Sequence, residues 1–224
     1  EAVVRLGVST ATGDAEGEVL QTRPVNVGAD EILAAAARFV GEIEQMPPMY
    51  SALKHAGRPL YEYARAGMDI ERKRRRVMIH ALDCEIIDAV HFRMTVRCSK
   101  GTYVRTLGED IGEALGCGAH LSALRRTAIG EFDIADAIDL DTVEAEGLTA
   151  RGRLLAVDSL IGAVPTLALA DEDAQRLCCG QSAELGAITP GAYRLYLGER
   201  FLGLGEVDES GSLRSRRLVC VIAH

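Results

Sequence analysis

A short run in the middle of the chain brings together residue types that suit binding of an anion and of a nucleic-acid base. Its sequence is CSKGTYVR, residues 98–105. The pattern predicts the end of a strand, a tight turn and a helix capped by Thr102. The free N–H groups and positive dipole end of that helix would lie near Lys100 and Arg105, as at an anion site. Tyr103 offers a flat ring for stacking a base. The alternative is an ordinary strand-to-helix junction with an exposed arginine.

A second group of basic and aromatic residues lies between Tyr50 and Arg76. This segment holds 8 Lys or Arg against 3 Asp or Glu, and it follows a Pro-Pro pair that forbids regular structure. Tyrosines interleaved with cations on such an insertion favour a loop that closes over nucleic acid. Tyr61 and Tyr63 could equally anchor a short helix to the body of the domain.

Two further motifs are weaker candidates. Arg125 and Arg126 would lie at the C-terminal end of a second short helix, where cations also offset the helix dipole, and this structural interpretation is favoured. Asp14, in the Gly-rich turn TATGDAEG, could bind a metal or act as a base. The turn lacks the ligand spacing of a calcium loop and the lysine of a P-loop, so the carboxylate is expected to satisfy N–H groups of the turn.

Several function classes are excluded by what the sequence lacks. The six cysteines are scattered without a C-x-x-C, which disfavours a disulfide scaffold or a zinc module and favours buried thiols of a cytosolic protein. No histidine is near a serine or cysteine nucleophile motif, which argues against a catalytic triad. No G-x-G-x-x-G is present, which argues against a bound dinucleotide. No apolar run reaches the roughly 20 residues of a membrane span. The sequence therefore indicates no metal site and no dinucleotide cofactor.

The elements that must position these residues are of mixed type. With 48% hydrophobic and 26% charged residues, the 224-residue chain can bury a core. Strands and helices occur without strict β-α-β alternation, which predicts an α+β fold. The net charge of −8 is uneven, since most of the excess acid follows residue 132. A basic segment in an acidic chain indicates a localised polyanion site.

The predicted elements divide the chain at Val164-Pro165. Residues 1–164 would form the larger domain, with an arm at 45–76, and residues 165–224 a small β-rich domain. Helices are predicted over 30–41, 59–67, 104–116, a short segment holding Leu121 and Leu124, and 139–155. Strands are predicted over 2–8, 77–90, 92–98, 193–197, 201–207 and 216–222, with 127–132 returning to the sheet.

Four runs together resemble the bacterial TruB family of tRNA pseudouridine synthases. They are RLGVSTATGDAEGEV (5–19), QMPPMYSALKHAGRPLYEYARAG (45–67), CSKGTYVRTLGEDIGEALGCGAHLSALRRTAIGEF (98–132) and FLGLGEVDESGSLRSRRLV (201–219). The resemblance implies the pseudouridine synthase fold, a mixed sheet flanked by helices, followed by a small β-rich PUA domain. It implies isomerisation of the uridine at position 55 of the tRNA T loop, with no cofactor, in a cytoplasmic monomer. The arm would grip the T loop and the PUA domain would touch the acceptor end.

The resemblance also implies roles for particular residues. Tyr103 would stack on the flipped base, Arg105 would pair with the catalytic aspartate, and Leu124 would form an apolar wall of the base pocket. Lys100 would face the RNA backbone. The residues expected to contact RNA are Lys100, Tyr50, Lys54, Arg58, Arg65, Arg74, Arg75, Arg125 and Arg126.

The catalytic aspartate of the family lies in a motif of the form G-x-L-D-P-x-A-x-G, which residues 1–224 do not contain. Asp14 matches a different family motif and is not its replacement. Without its partner, Arg105 is expected to be a costly cation in an apolar cleft. The sequence is therefore expected to be part of a longer enzyme, or else a non-catalytic tRNA-binding fragment. A relative of archaeal guide-RNA scaffolds is a third, weaker hypothesis.

Overall fold

The structure is a computed structural model that describes residues 1–219. The chain forms two compact units, Glu1–Ala135 and Asp136–His224, and each is described by itself. The predicted division at residue 164 stays a prediction. No helix among the described residues has the length and apolar character needed to cross a membrane.

The first unit is built on a five-stranded sheet with the order β4-β7-β8-β1-β9. Among residues 1–135 every pairing in this sheet is antiparallel, although the resemblance implies a mixed sheet. Three short hairpins lie outside it. The strands are β1 (Ala2–Leu6), β2 (Val8–Thr10), β3 (Val19–Thr22), β4 (Gly41–Gln45), β5 (Lys54–His55), β6 (Arg58–Pro59), β7 (Arg75–Ile86), β8 (His91–Cys98), β9 (Ala119–Leu124), β10 (Ala128–Ile129) and β11 (Phe132–Asp133). The helices are α1 (Ala29–Ala37), α2 (Leu60–Arg65) and α3 (Val104–Ala114).

One face of this sheet forms the core with α1 and α3. Along β1, Ala2, Val4 and Leu6 are buried and alternate with more exposed residues, as the period of a half-buried strand requires. Leu107 and Ile111, one turn apart on α3, are fully buried in the same cluster. The sheet therefore fixes the position of α3, the helix that begins within the CSKGTYVR run.

Several predicted features of this unit are wrong in type or extent. The helix predicted to reach residue 41 ends at Ala37, and β4 begins at Gly41. The short helix predicted around Leu121 is instead β9, because this segment pairs with β1 and packs closely on α3. The return to the sheet at 127–132 is a separate hairpin of β10 and β11. Thr102 donates its hydroxyl to the Ser99 carbonyl and does not cap α3.

The second unit holds another five-stranded sheet, with the order β12-β14-β15-β16-β13 and a parallel pair between β12 and β14. Its core includes Leu177, Leu195, Leu202 and Leu213. The predicted strand at 216–222 extends beyond the described residues. The elements are β12 (Thr166–Ala168), β13 (Ala183–Glu184), β14 (Gly191–Leu197), β15 (Arg200–Val207), β16 (Ser212–Leu218), α4 (Leu140–Glu146) and α5 (Asp171–Cys178). The helix predicted over 139–155 is α4 followed by a 3-10 helix, Gly147–Arg153.

Candidate active site

The site is centred on the first turn of α3, where Tyr103 is the N-cap residue and Arg105 follows in the helix. Gly101 takes a left-handed conformation with φ of +85°, which lets the chain turn from β8 into the helix. Lys100 is exposed in this turn. Since no side chain caps α3, its first N–H groups and dipole favour negative charge here.

The Arg105 guanidinium is held by three acceptors from two other parts of the chain. Its Nη1 donates to the Thr12 carbonyl and to Asp14 Oδ2, each at 2.9 Å, and its Nη2 donates to the Tyr50 carbonyl at 2.6 Å. The side chain keeps 23% of its surface exposed. Arg105 thus joins α3, the Gly-rich turn and the beginning of the arm, and its orientation is fixed.

Asp14 combines the expected turn role with a second role. Its Oδ1 accepts from the Thr12 hydroxyl at 2.5 Å and from the Glu16 N–H at 3.2 Å, while Oδ2 pairs with Arg105. Burial favours a higher pKa for this carboxyl, but the hydrogen bonds from Thr12, Arg105 and Glu16 outweigh it and lower the pKa. Arg105 therefore has a carboxylate partner within this chain, and the expectation of an unpaired cation in an apolar cleft is wrong.

Gln45 was not predicted as a site residue, yet it contacts the site directly. It is the last residue of β4 and is 1% exposed. Its Oε1 accepts from the Tyr103 N–H at 3.1 Å, and its Nε2 donates to the Tyr103 carbonyl at 3.3 Å. The sequence signal was a polar residue at a core-facing position, two after Ile43 in the strand.

Glu109 lies one helical turn after Arg105 and against the Gly-rich turn. A Cβ added at Gly13 would lie 2.9 Å from the Glu109 carboxyl carbon. Burial, followed by the negative charge of Asp110, raises the pKa of Glu109 to about 7, although Arg105 acts against this shift. Near neutral pH the protonated form is well populated, which leaves Asp14 as the strong anionic partner of Arg105.

We predict that the free energy of unfolding falls as the pH rises from about 5 to about 7. The folded protein holds the Glu109 proton more tightly than the unfolded chain, whose pKa is near 4.5, so deprotonation favours unfolding. Glu109→Gln should flatten this decline. Urea unfolding of both proteins at pH 5 and pH 7.5 measures the effect, and equal declines would contradict the burial of this carboxyl.

Leu124, predicted as a wall of the base pocket, and the predicted RNA-contacting residues Arg125 and Arg126 lie at or just after the end of β9. Leu124 pairs with Ala2 and so lies on the core-facing side of the sheet, with 56% of its surface exposed. Arg125 and Arg126 are exposed and follow a strand, so the prediction that they end a helix is wrong. Their contact with RNA stays a prediction.

The arm uses several of its predicted RNA-contacting residues in internal contacts. Arg58 pairs with Glu62 at 3.3 Å and lies over the Tyr63 ring at 4.9 Å. Arg65 lies over the Tyr61 ring at 5.3 Å. Tyr50 is half-buried, with its carbonyl on Arg105, and Lys54 is exposed in β5. Arg58 and Arg65 are nonetheless exposed residues of the arm.

The basic run at 72–76 is partly structural. Arg72 donates to the carbonyls of Pro47 and Ile70, at 3.1 and 3.2 Å, and so joins the two ends of the arm. Arg74 donates to the Glu44 carbonyl at 3.4 Å and is exposed, as is Arg75. Because its guanidinium is used in these internal hydrogen bonds, Arg72 is not counted among the residues available to bind a polyanion.

The site can stack a planar group and hold a carboxylate or another anion. Among residues 1–219, no cluster of three or more His, Cys, Asp or Glu side chains could hold a metal ion. The chemistry that these residues support is binding, orientation and electrostatic stabilisation by a fixed guanidinium.

Three family models match consecutive parts of the chain. The TruB family pseudouridylate synthase N-terminal domain matches residues 1–104, the tRNA pseudouridylate synthase B C-terminal domain residues 105–162, and the pseudouridine synthase II TruB C-terminal domain residues 165–219. The chain belongs to the TruB family. TruB pseudouridine synthases are isomerases, so the predicted family and enzyme class are confirmed.

TruB relatives match this chain over nearly its whole length. The protein named tRNA pseudouridine synthase B of Azoarcus sp. (strain BH72) is 52% identical over 220 residues, covering 98% of this chain and 73% of the relative. The protein of that name from Cupriavidus pinatubonensis is 51% identical, with the same coverage. The chain thus spans about three quarters of the length of these relatives.

Solved structures with the same fold are more distant in sequence. A Cbf5-Nop10-Gar1 complex matches with a TM-score of 0.63 and 21% identity, covering 97% of this chain and 64% of that one. An archaeal box H/ACA Nop10-Cbf5 complex matches with a TM-score of 0.60 and 19% identity, covering 99% and 65%. The predicted fold class, α+β of the pseudouridine synthase kind with a small β-rich domain, is confirmed.

Proposed function

We propose that the complete protein is a tRNA pseudouridine synthase that isomerises the uridine at position 55 of the T loop. The observation that carries this proposal is a guanidinium fixed by three acceptors, two residues after Tyr103, in a chain about half identical to TruB relatives over nearly its whole length. In the reaction the bond from C1′ to N1 breaks and a bond from C1′ to C5 forms. The C5 hydrogen leaves to solvent as a proton, and N1 takes up a proton from solvent, so that the product is an isomer of uridine.

The proposed roles are those that the family resemblance implies, and the position of each side chain supports them. The target base must leave its stack, at a cost of a few kcal/mol, and stacking on Tyr103 offsets part of that cost. Leu124, exposed on the core-facing side of β9, forms an apolar wall. Tyr103, Arg105 and Leu124 are thus the proposed catalytic residues of this chain.

Arg105 has donors left for the nucleophilic aspartate that the resemblance implies. A guanidinium has five N–H donors. Contacts with described residues 1–219 use both hydrogens of Nη1 and one of Nη2. Nε and the second Nη2 hydrogen remain for another carboxylate. This aspartate is not among residues 1–224, so the proposal concerns the complete protein.

Mapping the product tests the proposal. The complete protein is incubated with an unmodified tRNA transcript, which is then treated with a carbodiimide that marks pseudouridine and read by primer extension. We expect one new stop, in the T loop, one nucleotide to the 3′ side of position 55. Stops at other uridines without one in the T loop would contradict the proposed substrate.

The alternative function is that of a non-catalytic tRNA-binding protein. The exposed cations of the arm, which can bind RNA without any chemical step, are the observation that favours it. Under this alternative the complete protein retains tRNA in a filter assay but produces no carbodiimide-reactive uridine. The same two measurements therefore separate the alternatives.

The proposal extends to the RNA contacts, the assembly and the compartment. The arm contacts the T loop and the small β-rich domain, residues 165–224, contacts the acceptor end, in a cytoplasmic monomer. The exposed cations of the arm support the first contact. Sedimentation of the complete protein with and without tRNA tests the monomer, and a dimer at micromolar concentration would contradict it.

We predict that exposed arm cations without a described protein partner set part of the salt dependence of tRNA binding. The triple variant Lys54→Ala, Lys73→Ala and Arg75→Ala should reduce the slope of log K against log salt by about 2, because each phosphate contact contributes about 0.7 to 0.9. Filter binding from 50 to 300 mM KCl measures the slope. Arg23→Ala, which removes a cation paired with Glu113, is the control and should leave it unchanged.

A further inference from the structure

The Gln45 side chain is buried in the core but makes its hydrogen bonds to the site. It is one of the largest fully buried side chains of the chain. A buried amide without partners would cost about 1–3 kcal/mol. Both of its polar atoms are satisfied by one residue, Tyr103, through the N–H and the carbonyl of its backbone.

The position that Gln45 occupies normally suits an apolar residue. Ile43 and Gln45 point to the same face of β4, and Ile43 packs against the core cluster. An apolar side chain at residue 45 would continue this pattern, but it would leave the N–H of Tyr103 without this acceptor. The polar residue is therefore explained by its contact with Tyr103 better than by the packing of the strand.

The backbone groups that Gln45 contacts belong to Tyr103 itself, and they set the direction of the Tyr103 side chain. Tyr103 is the N-cap of α3, with φ of −98° and ψ of 105°, and its own side chain caps nothing. The Tyr103 carbonyl also accepts from the Leu107 N–H at 3.0 Å, as the first bond of the helix. Gln45 restrains the peptide groups on both sides of the Tyr103 Cα, so the direction of the Tyr103 side chain is restrained with them.

Gln45 is also the residue from which the arm leaves the sheet. It ends β4, and Pro47-Pro48 follows directly. The residue that restrains Tyr103 is thus the first residue of the arm, and the arm also supplies the Tyr50 carbonyl that accepts a hydrogen bond from Arg105.

We infer that Gln45 is a positioning residue that holds Tyr103 in the orientation needed to stack on the extruded base. This inference rests on the proposed function, since it requires Tyr103 to contact the substrate. A displacement of about 1 Å at a reacting group can cost about 100-fold in rate. Loss of the two hydrogen bonds should therefore slow the chemical step and leave tRNA affinity nearly unchanged.

The test uses the complete protein and compares Gln45→Met with Ile43→Ala. The methionine is close to isosteric and removes both hydrogen bonds, while Ile43→Ala weakens the same strand without touching Tyr103. We expect Gln45→Met to lower the single-turnover rate of pseudouridine formation about 10- to 100-fold, with Kd for tRNA within a factor of two. Ile43→Ala should keep the wild-type rate at a temperature well below its Tm.

A second background separates positioning from stability. In Tyr103→Leu, the further change Gln45→Met should lower Tm but cause no additional loss of rate. If Gln45→Met and Ile43→Ala lose rate in proportion to their loss of Tm, Gln45 is only structural and the inference is overturned. If Tyr103→Leu itself keeps the wild-type rate, the proposed role of Tyr103 fails instead, which is a different result.

Discussion

Arg105→Lys in the complete protein is expected to reduce the rate of pseudouridine formation by about 10²- to 10³-fold, while tRNA binding stays within a few-fold of wild type. Lysine keeps the charge, but one ammonium cannot reproduce a planar guanidinium that contacts Thr12, Asp14 and Tyr50 together. Loss of one fixed donor at a site of developing charge costs rates of this order.

Single-turnover kinetics and filter binding measure the two effects of Arg105→Lys. Arg23→Lys is a matched control, because Arg23 is also paired with a carboxylate, that of Glu113 on α3. Parallel loss of rate and affinity in Arg105→Lys would mean that the guanidinium only binds RNA.

Gly112→Ala is expected to lower the free energy of unfolding by about 3 kcal/mol. A Cβ at residue 112 would lie against the Ala119 Cβ and 2.5 Å from the Ala119 backbone nitrogen, so α3 would have to move away from β9. In an exposed helix the same change would stabilise by about 1 kcal/mol. At residue 112 the change in the free energy of unfolding has the opposite sign, because α3 lies so close to β9.

Gly108→Ala is the matched comparison for Gly112→Ala. Its added Cβ would meet the end of the Leu121 side chain at 2.8 Å, and a side chain can move where backbone cannot. Urea unfolding should therefore rank the loss at Gly112 above that at Gly108. If Gly112→Ala is as stable as Gly108→Ala, or more stable, the result contradicts the described packing of α3, the helix that carries Arg105.

The elements that carry the chemistry could be predicted from the sequence because their signals are local. The change of period after Cys98 and the turn at Gly101 place the start of α3 correctly. Strand β9 could not be predicted in this way. Its Leu121 is buried by pairing with β1, more than one hundred residues earlier, and by the side of α3, so its environment depends on non-local contacts.

The partners of the site residues also depend on tertiary structure. The sequence predicts that the Asp14 carboxylate accepts hydrogen bonds from its own turn, and such contacts are present. Its hydrogen bond from Arg105, in contrast, joins segments 91 residues apart. Gln45 reaches Tyr103 across 58 residues. Arg72 belongs to a run that looks uniformly exposed in sequence, yet it closes the arm on Pro47. In each case the residue type was visible and the partner was not.

Release of tritium from tRNA labelled at C5 of uridine tests the central claim most directly. Formation of the bond from C1′ to C5 expels the hydrogen of C5, so the complete protein should release one tritium per tRNA at completion. A transcript in which the T-loop uridine at position 55 is replaced by cytidine should release none. Tight binding of the labelled tRNA without tritium release would contradict the account and leave a protein that holds tRNA without modifying it.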